Sequence, residues 1–216
     1  VRRVDEKEYV LRKYVLGKPE RIRSELASEK HLRSHVLALI ASEEVSSIDS
    51  LLRFFEATFL AHVYGAHLIE GIVMDTLEFL GSADLIEVFG SDIRATPLGR
   101  RVSQLYIDPL TAVVMRDGLK RGALNVTDFT WLHLVCHTPD MRPILRPRRS
   151  DMEIVETYLE DHRDELAVHV DEADDYIEYG SLLGEVKTAM VLEAWINEVS
   201  ENDLLERYSV QPGDRY

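Results

Sequence analysis

The chain has 216 residues, 45% of them hydrophobic, and one cysteine, Cys136; this suits one large or two small globular domains and excludes a disulfide framework, as in a reducing compartment. Apolar runs such as IVM at 72–74 fall far short of the roughly 20 residues of a membrane span, which excludes a membrane protein. The net charge of −14 disfavours a free-standing nucleic-acid binder, but residues 151–216 carry 19 acidic and 4 basic side chains while residues 1–150 carry 20 and 21, so all the excess charge lies in the last third.

Val1 opens the chain with neither an initiator methionine nor an apolar signal region, and so reads as the start of an excised piece. Residues 5–16 place Tyr9, Val10, Tyr14 and Val15 on a helix with acids in its first turn, stopped at Gly17. Pro19 opens a short second helix. Ser28 caps a third, with Leu32, Val36, Leu39 and Ile40 on one face. After a turn at 45–47, Ile48, Leu51, Leu52, Phe55 and Phe59 recur at helical spacing, and a further helix covers 67–80 with Leu68, Ile72, Leu77 and Leu80 as core candidates. Residues 85–89 (LIEVF) alternate as a strand, GSD makes a turn, and residues 93–95 return as a second strand. Helices followed by a two-stranded wing are the order of a winged-helix domain.

Thr96–Pro97 and Asp108–Pro109 each read as an N-cap with proline at the first helical position, so two helices abut there and the chain divides near Asp108. Beyond it, helices are predicted over 109–120, 128–137, 151 to about 170, 182–199 and 202–207. Ser150 with Glu153 spells a capping box, and 182–199 is apolar around most of its circumference, so it should be central and buried, with Trp195 in the core rather than stacking on a nucleobase, its alternative. Between two of these helices runs HTPDMRPILRPRR, whose four arginines and three prolines after Thr138 make an exposed basic loop. The fold class is therefore mainly α: a winged-helix domain, with a three-helix core and a small β-hairpin wing, followed by a helical bundle.

Arg142, Arg146, Arg148 and Arg149 form the densest basic cluster and suit phosphate contacts; the alternative is that they neutralise the acidic helix after Asp151. Arg94 on the wing is a further DNA-contact candidate. Arg100 and Arg101 stand just after the wing and suit either the same DNA contact or, at least as well, packing against another domain. Arginine outnumbers lysine 19 to 6, which suits phosphate contacts and equally a GC-rich genome or salt adaptation. His133, Cys136 and His137 share a helical turn without a fourth ligand at fixed spacing, so no metal is assigned and Cys136 reads as a small core residue. His31 and His35 read as helix-surface residues. No phosphate-binding loop, GxSxG elbow or HExxH motif occurs, so no catalytic residue is assigned. A free-standing winged-helix transcriptional regulator is the alternative, but its recognition helix, 67–80, contains no Lys or Arg and carries Glu70, Asp75 and Glu78. An enzyme built on His133 and Cys136 is the third and weakest reading.

The segments SQLYIDPLTA (103–112), HTPDM (137–141), KTAMVLEAWINEV (187–199) and YSVQPGD (208–214), with 14–42 ahead of them, resemble the Hjm-type archaeal DNA helicases, Ski-two-like members of superfamily 2 related to animal HELQ. The resemblance implies a division into a linker from a second motor domain (1–27), a winged helix (28–107) and the N-terminal part of a helical ratchet (108–216). It also implies the parent's activity, ATP-dependent 3′ to 5′ unwinding of forked or branched DNA in repair and recombination. The chain would be a non-catalytic fragment of a cytoplasmic, nucleoid-associated monomer, bracing the RecA-like motors in cis and helping to enclose single-stranded DNA. By the same resemblance ATP and Mg belong to the absent motors, so this chain binds no cofactor, and a base-stacking helix would begin after Pro212–Asp214.

Overall fold

The computed structural model describes residues 4–18, 22–168, 176–208 and 210. The N-terminal helix α1 (Val4–Val10) runs on as a wider π-turn at Leu11–Val15, and every side chain described from 6 to 18 is exposed. The helix expected to open at Pro19 falls partly outside the described residues. Residues 22–24 are in no helix or strand, and only a 3-10 turn, Glu25–Ala27, precedes Ser28.

Ser28 caps α2 (Glu29–Ala41) by accepting the His31 amide, and Leu32, Val36, Leu37 and Ile40 are buried along it. Helix α3 (Ile48–Glu56) starts on a capping box formed by Ser47 and Ser50. The apolar spacing continues to Phe59, but the helix does not. Thr58 caps a new helix, α4 (Phe59–Tyr64), through its hydroxyl and the Ala61 amide, and Phe59 is left exposed. Gly65, at φ 88°, turns the chain into α5 (Ala66–Ser82). The buried stripe of α5 is Ile69, Val73, Leu77 and Leu80: Leu77 and Leu80 are core residues as expected, while in the first half Ile69 and Val73 take the places expected of Leu68, which is exposed, and Ile72, which is half-buried.

The wing is β1 (Ile86–Phe89) paired antiparallel with β2 (Asp92–Ala95), with Glu87 opposite Arg94. Its tip is tied to the turn before α3, since Ile48 N donates to Ser91 O and Ile93 N to Ser46 O. Thr96 caps α6 (Pro97–Leu105), in which Gly99 lies against the Leu85 carbonyl. Buried side chains from Leu32 to Val102 make one continuous core.

Asp108 caps α7 (Pro109–Arg121), which packs Ala112 and Val113 against that first core. A second core is built by α8 (Asp128–Cys136), α9 (Met152–Asp161) and α10 (Tyr176–Ile196), with α11 (Glu201–Tyr208) packing Tyr208 against it. Residues 182–191 of α10 are buried without interruption, as expected of a helix that is apolar all round. Trp195 is not in the core. It is 60% exposed, because α10 emerges from its packing partners after Leu192.

Helix α9 departs from expectation at both ends. The Ser150–Glu153 box does not form: Asp151 is the N-cap residue, and its carboxylate turns to Arg148 N and Lys187 Nζ instead of the helix's own amides. The helix ends at Asp161, short of 170. There a 3-10 turn, Arg163–Glu165, is held by Asn125 N to Asp164 O (2.9 Å) and Thr127 Oγ1 to Glu165 (2.5 Å).

Candidate nucleic-acid interface

The joint between the two cores is built on carboxylates. Arg33, on α2, donates from Nε and Nη2 to the two oxygens of Asp108 (2.5 and 2.7 Å), while Asp108 Oδ1 also accepts the Leu110 amide (2.9 Å). Asp140, just past α8, accepts Asp108 N and Thr111 Oγ1, both at 2.8 Å, and pairs with Lys30 of α2 at 3.0 Å. Burial alone would raise the Asp140 carboxyl, but its bonds from the Asp108 amide, Thr111 and Lys30 together hold it below the usual carboxylate range. Arg116 of α7 adds a bond of 2.6 Å to the Ala83 carbonyl.

The basic loop begins where this joint ends and is laid along one face of α10. Gly184 and Thr188, one turn apart, leave room for it: a Cβ on Gly184 would stand 2.7 Å from Ile144 Cδ1, and Thr188 Oγ1 accepts Leu145 N at 2.9 Å. Glu185, 2% exposed, takes Arg142 Nη2 on one oxygen and His137 Nδ1 on the other, each at 2.8 Å. Lys187, equally buried, donates to Asp151 and lies 3.4 Å from the Arg146 carbonyl. Burial pushes the Glu185 carboxyl up, but the bonds from His137 and Arg142 outweigh it and leave the group below its ordinary value.

Arg142 is thus committed to Glu185 and anchors the loop. Arg146, Arg148 and Arg149 are exposed, and none of their guanidinium groups meets a carboxylate among the described residues. The structure therefore divides the four-arginine cluster into one anchor and three outward cations. Arg94 is exposed on the wing, opposite Glu87. Arg100 turns back into its own domain, 3.5 Å from Glu43 and 3.4 Å from the Ala95 carbonyl, and Arg101 is exposed. The contacts that cross Asp108 come from Arg33, Lys30 and Arg116, which sequence reasoning did not single out.

On the far side of the loop, Met141, Pro143, Leu145, Val191 and Trp195 line a cavity of about 400 Å³. Cys136 is fully buried and its thiol is pushed up to about 12 by that burial, which makes it inert. His133 is also fully buried and stacks against His137, with Glu185 3.9 Å from Nε2. Among the described residues no three His, Cys, Asp or Glu side chains converge as metal ligands would. His31 and His35 are exposed on α2, as expected. Among the described residues no helix is long and apolar enough to cross a membrane.

A wing-bearing helical domain joined through a buried Arg–Asp pair to a second helical domain defines a winged-helix module with a helical partner. Residues 129–216 match the family model described as archaeal helicase, domain 4, and this part of the chain belongs to that family. Over nearly its whole length the chain is related to archaeal helicases named ATP-dependent DNA helicase Hel308. It is 36% identical to that of Pyrococcus horikoshii over 214 residues, which is 98% of this chain and 29% of the relative. It is 35% identical over 215 residues to that of Methanocella arvoryzae and 38% identical over 221 to that of Thermococcus kodakarensis. The chain thus spans less than a third of the length of these relatives.

Proposed function

We propose that this chain forms the winged-helix and helical part of an ATP-dependent DNA helicase, in which the loop after α8 contacts the phosphate backbone of a single strand. In this reading nucleotide and Mg bind elsewhere in the protein, since these 216 residues contain no phosphate-binding glycine loop. The winged helix braces the motor domains, with the exposed Arg101 as the contact candidate once Arg100 is engaged by Glu43, and the second domain helps enclose the strand. The intact protein would act as a monomer, 3′ to 5′, on forked or branched DNA in repair and recombination, and so in the cytoplasm with the nucleoid.

One observation carries the DNA contact: three exposed cations, Arg146, Arg148 and Arg149, on a loop strapped to a buried helix in a domain of the archaeal helicase family. The regulator alternative lacks such support, because the outer face of α5 exposes Glu70, Asp75 and Glu78 and no cation. The test is the salt dependence of forked-DNA binding by the full-length protein. Replacing Arg146, Arg148 and Arg149 by alanine should weaken binding and lower the slope of log K against log salt by about 2, the loss of two to three phosphate contacts at ~0.7 each. An unchanged affinity and slope would reject the contact. Tight dimeric binding of a palindromic duplex would favour the regulator instead.

A further inference from the structure

The loop at 142–151 contains three residues with side chains directed outward, yet the chain around them is not free to move. Four positions on one side of α10, 184, 185, 187 and 188, engage it. Gly184 gives space to Ile144, Glu185 takes Arg142, Thr188 takes the Leu145 amide, and Lys187 reaches both the Arg146 carbonyl and Asp151. Asp151 in turn accepts the Arg148 amide. Six of the ten residues from Arg142 to Asp151 are therefore engaged, Arg146 and Arg148 through their backbones, which leaves the guanidinium groups outward. Two of the α10 positions are buried charges, Glu185 and Lys187, inside the ten-residue stretch of α10 that is otherwise packed on all sides. Burying charge in a helical core costs several kcal/mol per ion before pairing, and a well-packed apolar pair would serve stability as well or better. What an apolar pair would not supply is a fixed backbone path for the loop.

We propose that Glu185, Lys187 and Thr188 of α10, with Asp151, are positioning residues that hold the 142–151 loop in a binding-ready path, presenting Arg146, Arg148 and Arg149 together to consecutive phosphates of a nucleic-acid strand. The proposal rests on the DNA-contact reading above. Its physical content is entropic. A loop ordered in advance spends none of its binding energy on ordering itself, whereas the same arginines on a loose loop must be immobilised on contact. Loosening the ties therefore weakens binding without changing the number of phosphates neutralised. Removing arginines changes both. The two effects separate on a plot of log K against log salt, where the first shifts the line and the second tilts it.

The experiment uses the full-length protein and a fluorescein-labelled oligo-dT, read by anisotropy from 50 to 300 mM KCl, with amide hydrogen exchange across 142–151 as the second readout. Two variants are made. Lys187→Met with Asp151→Leu replaces the buried ion pair by an apolar pair of similar bulk, which keeps the core filled. Thr188→Val removes the acceptor of the Leu145 amide, together with the hydroxyl's own bond to the Gly184 carbonyl within α10. Each should leave the thermal midpoint within a few degrees, speed exchange at Leu145 or Arg148, and weaken oligo-dT binding about tenfold for the double variant and about threefold for Thr188→Val, with the salt slope unchanged. Faster exchange with unaltered affinity overturns the inference while leaving the DNA contact standing. Unaltered exchange in both variants overturns it too, since the ties then do not hold the loop. If replacing the three arginines also changes neither affinity nor slope, the DNA-contact reading itself fails and takes the inference with it.

Discussion

His133 shows how much a single side chain can bias stability. Its imidazole is fully buried, neither ring nitrogen has a hydrogen-bond partner among the described residues, and burial lowers its pKa from 6.5 to about 4, with Glu185 opposing the effect and His137 adding to it. The folded state therefore holds His133 neutral where the unfolded chain takes up a proton. The sign follows directly: between pH 6.5 and 4 the unfolded state binds more protons, so stability falls with falling pH across that window, by about 3 kcal/mol in all. Glu185 acts lower. Its depressed pKa contributes stability above the usual glutamate value near 4.3, which is lost as the pH falls through its folded pKa. Urea midpoints measured at pH 7 and pH 4.5 should therefore differ markedly in the natural chain and much less in His133→Leu. Equal pH dependence in the two would show that His133 is not the titrating group.

At the level of elements, the winged helix depends on a close approach that only glycine allows. Gly99 sits in the first turn of α6 with the Leu85 carbonyl where a Cβ would go, so Gly99→Ala must displace backbone rather than a flexible side-chain end. The expected cost is roughly 1–3 kcal/mol, that of overpacking. Gly71, inside α5, has nothing within 4 Å of the same position, and Gly71→Ala should instead stabilise by about 0.5–1 kcal/mol through helix propensity. Thermal melts of the two variants check the pair; a loss of stability in both would point away from the Leu85 contact. Two element-level differences from expectation come from a side chain taking a partner the periodicity does not show, one local and one tertiary. Thr58 takes up a cap and splits the 48–59 stripe into α3 and α4, and Asp151 leaves the α9 cap because Lys187 competes for its carboxylate.

The molecule as a whole is two cores joined at a buried ion pair. Arg33 and Asp108 bind through two parallel bonds, with Asp108 fully buried and Arg33 nearly so, and the bond from Asp108 raises the Arg33 guanidinium further above its already high value. Asp108→Ala would leave that guanidinium unpaired and α7 without its cap, a loss of about 3–5 kcal/mol. Since the same carboxylate links α2 to α7, the loss should fall on the joint. Calorimetry of Asp108→Ala is expected to resolve two unfolding transitions where the natural chain shows less separation, and a single unshifted transition would contradict the joint's role. Asp140 extends the connection, because it touches Lys30, Asp108 and Thr111 at one end of the basic loop whose other end is tied to α10.

By itself the sequence determined the helical character, the wing, the N-caps at Ser28, Thr96 and Asp108, and the buried run of α10, because each follows from local periodicity or from a side chain bonding its own backbone. It also showed four arginines in a proline-rich segment. Only tertiary structure decided that Arg142 is an anchor while Arg146, Arg148 and Arg149 face outward, since the partner of Arg142 is Glu185, 43 residues away. One signal did lie in the chain: Glu185 and Lys187 are the only charges in LLGEVKTAMVL, and charges inside an all-round apolar helix must find partners when buried. Which partners they find depends on how the chain returns to α10. The same return leaves Trp195 at the surface, although its apolar surroundings in the sequence predicted a place in the core.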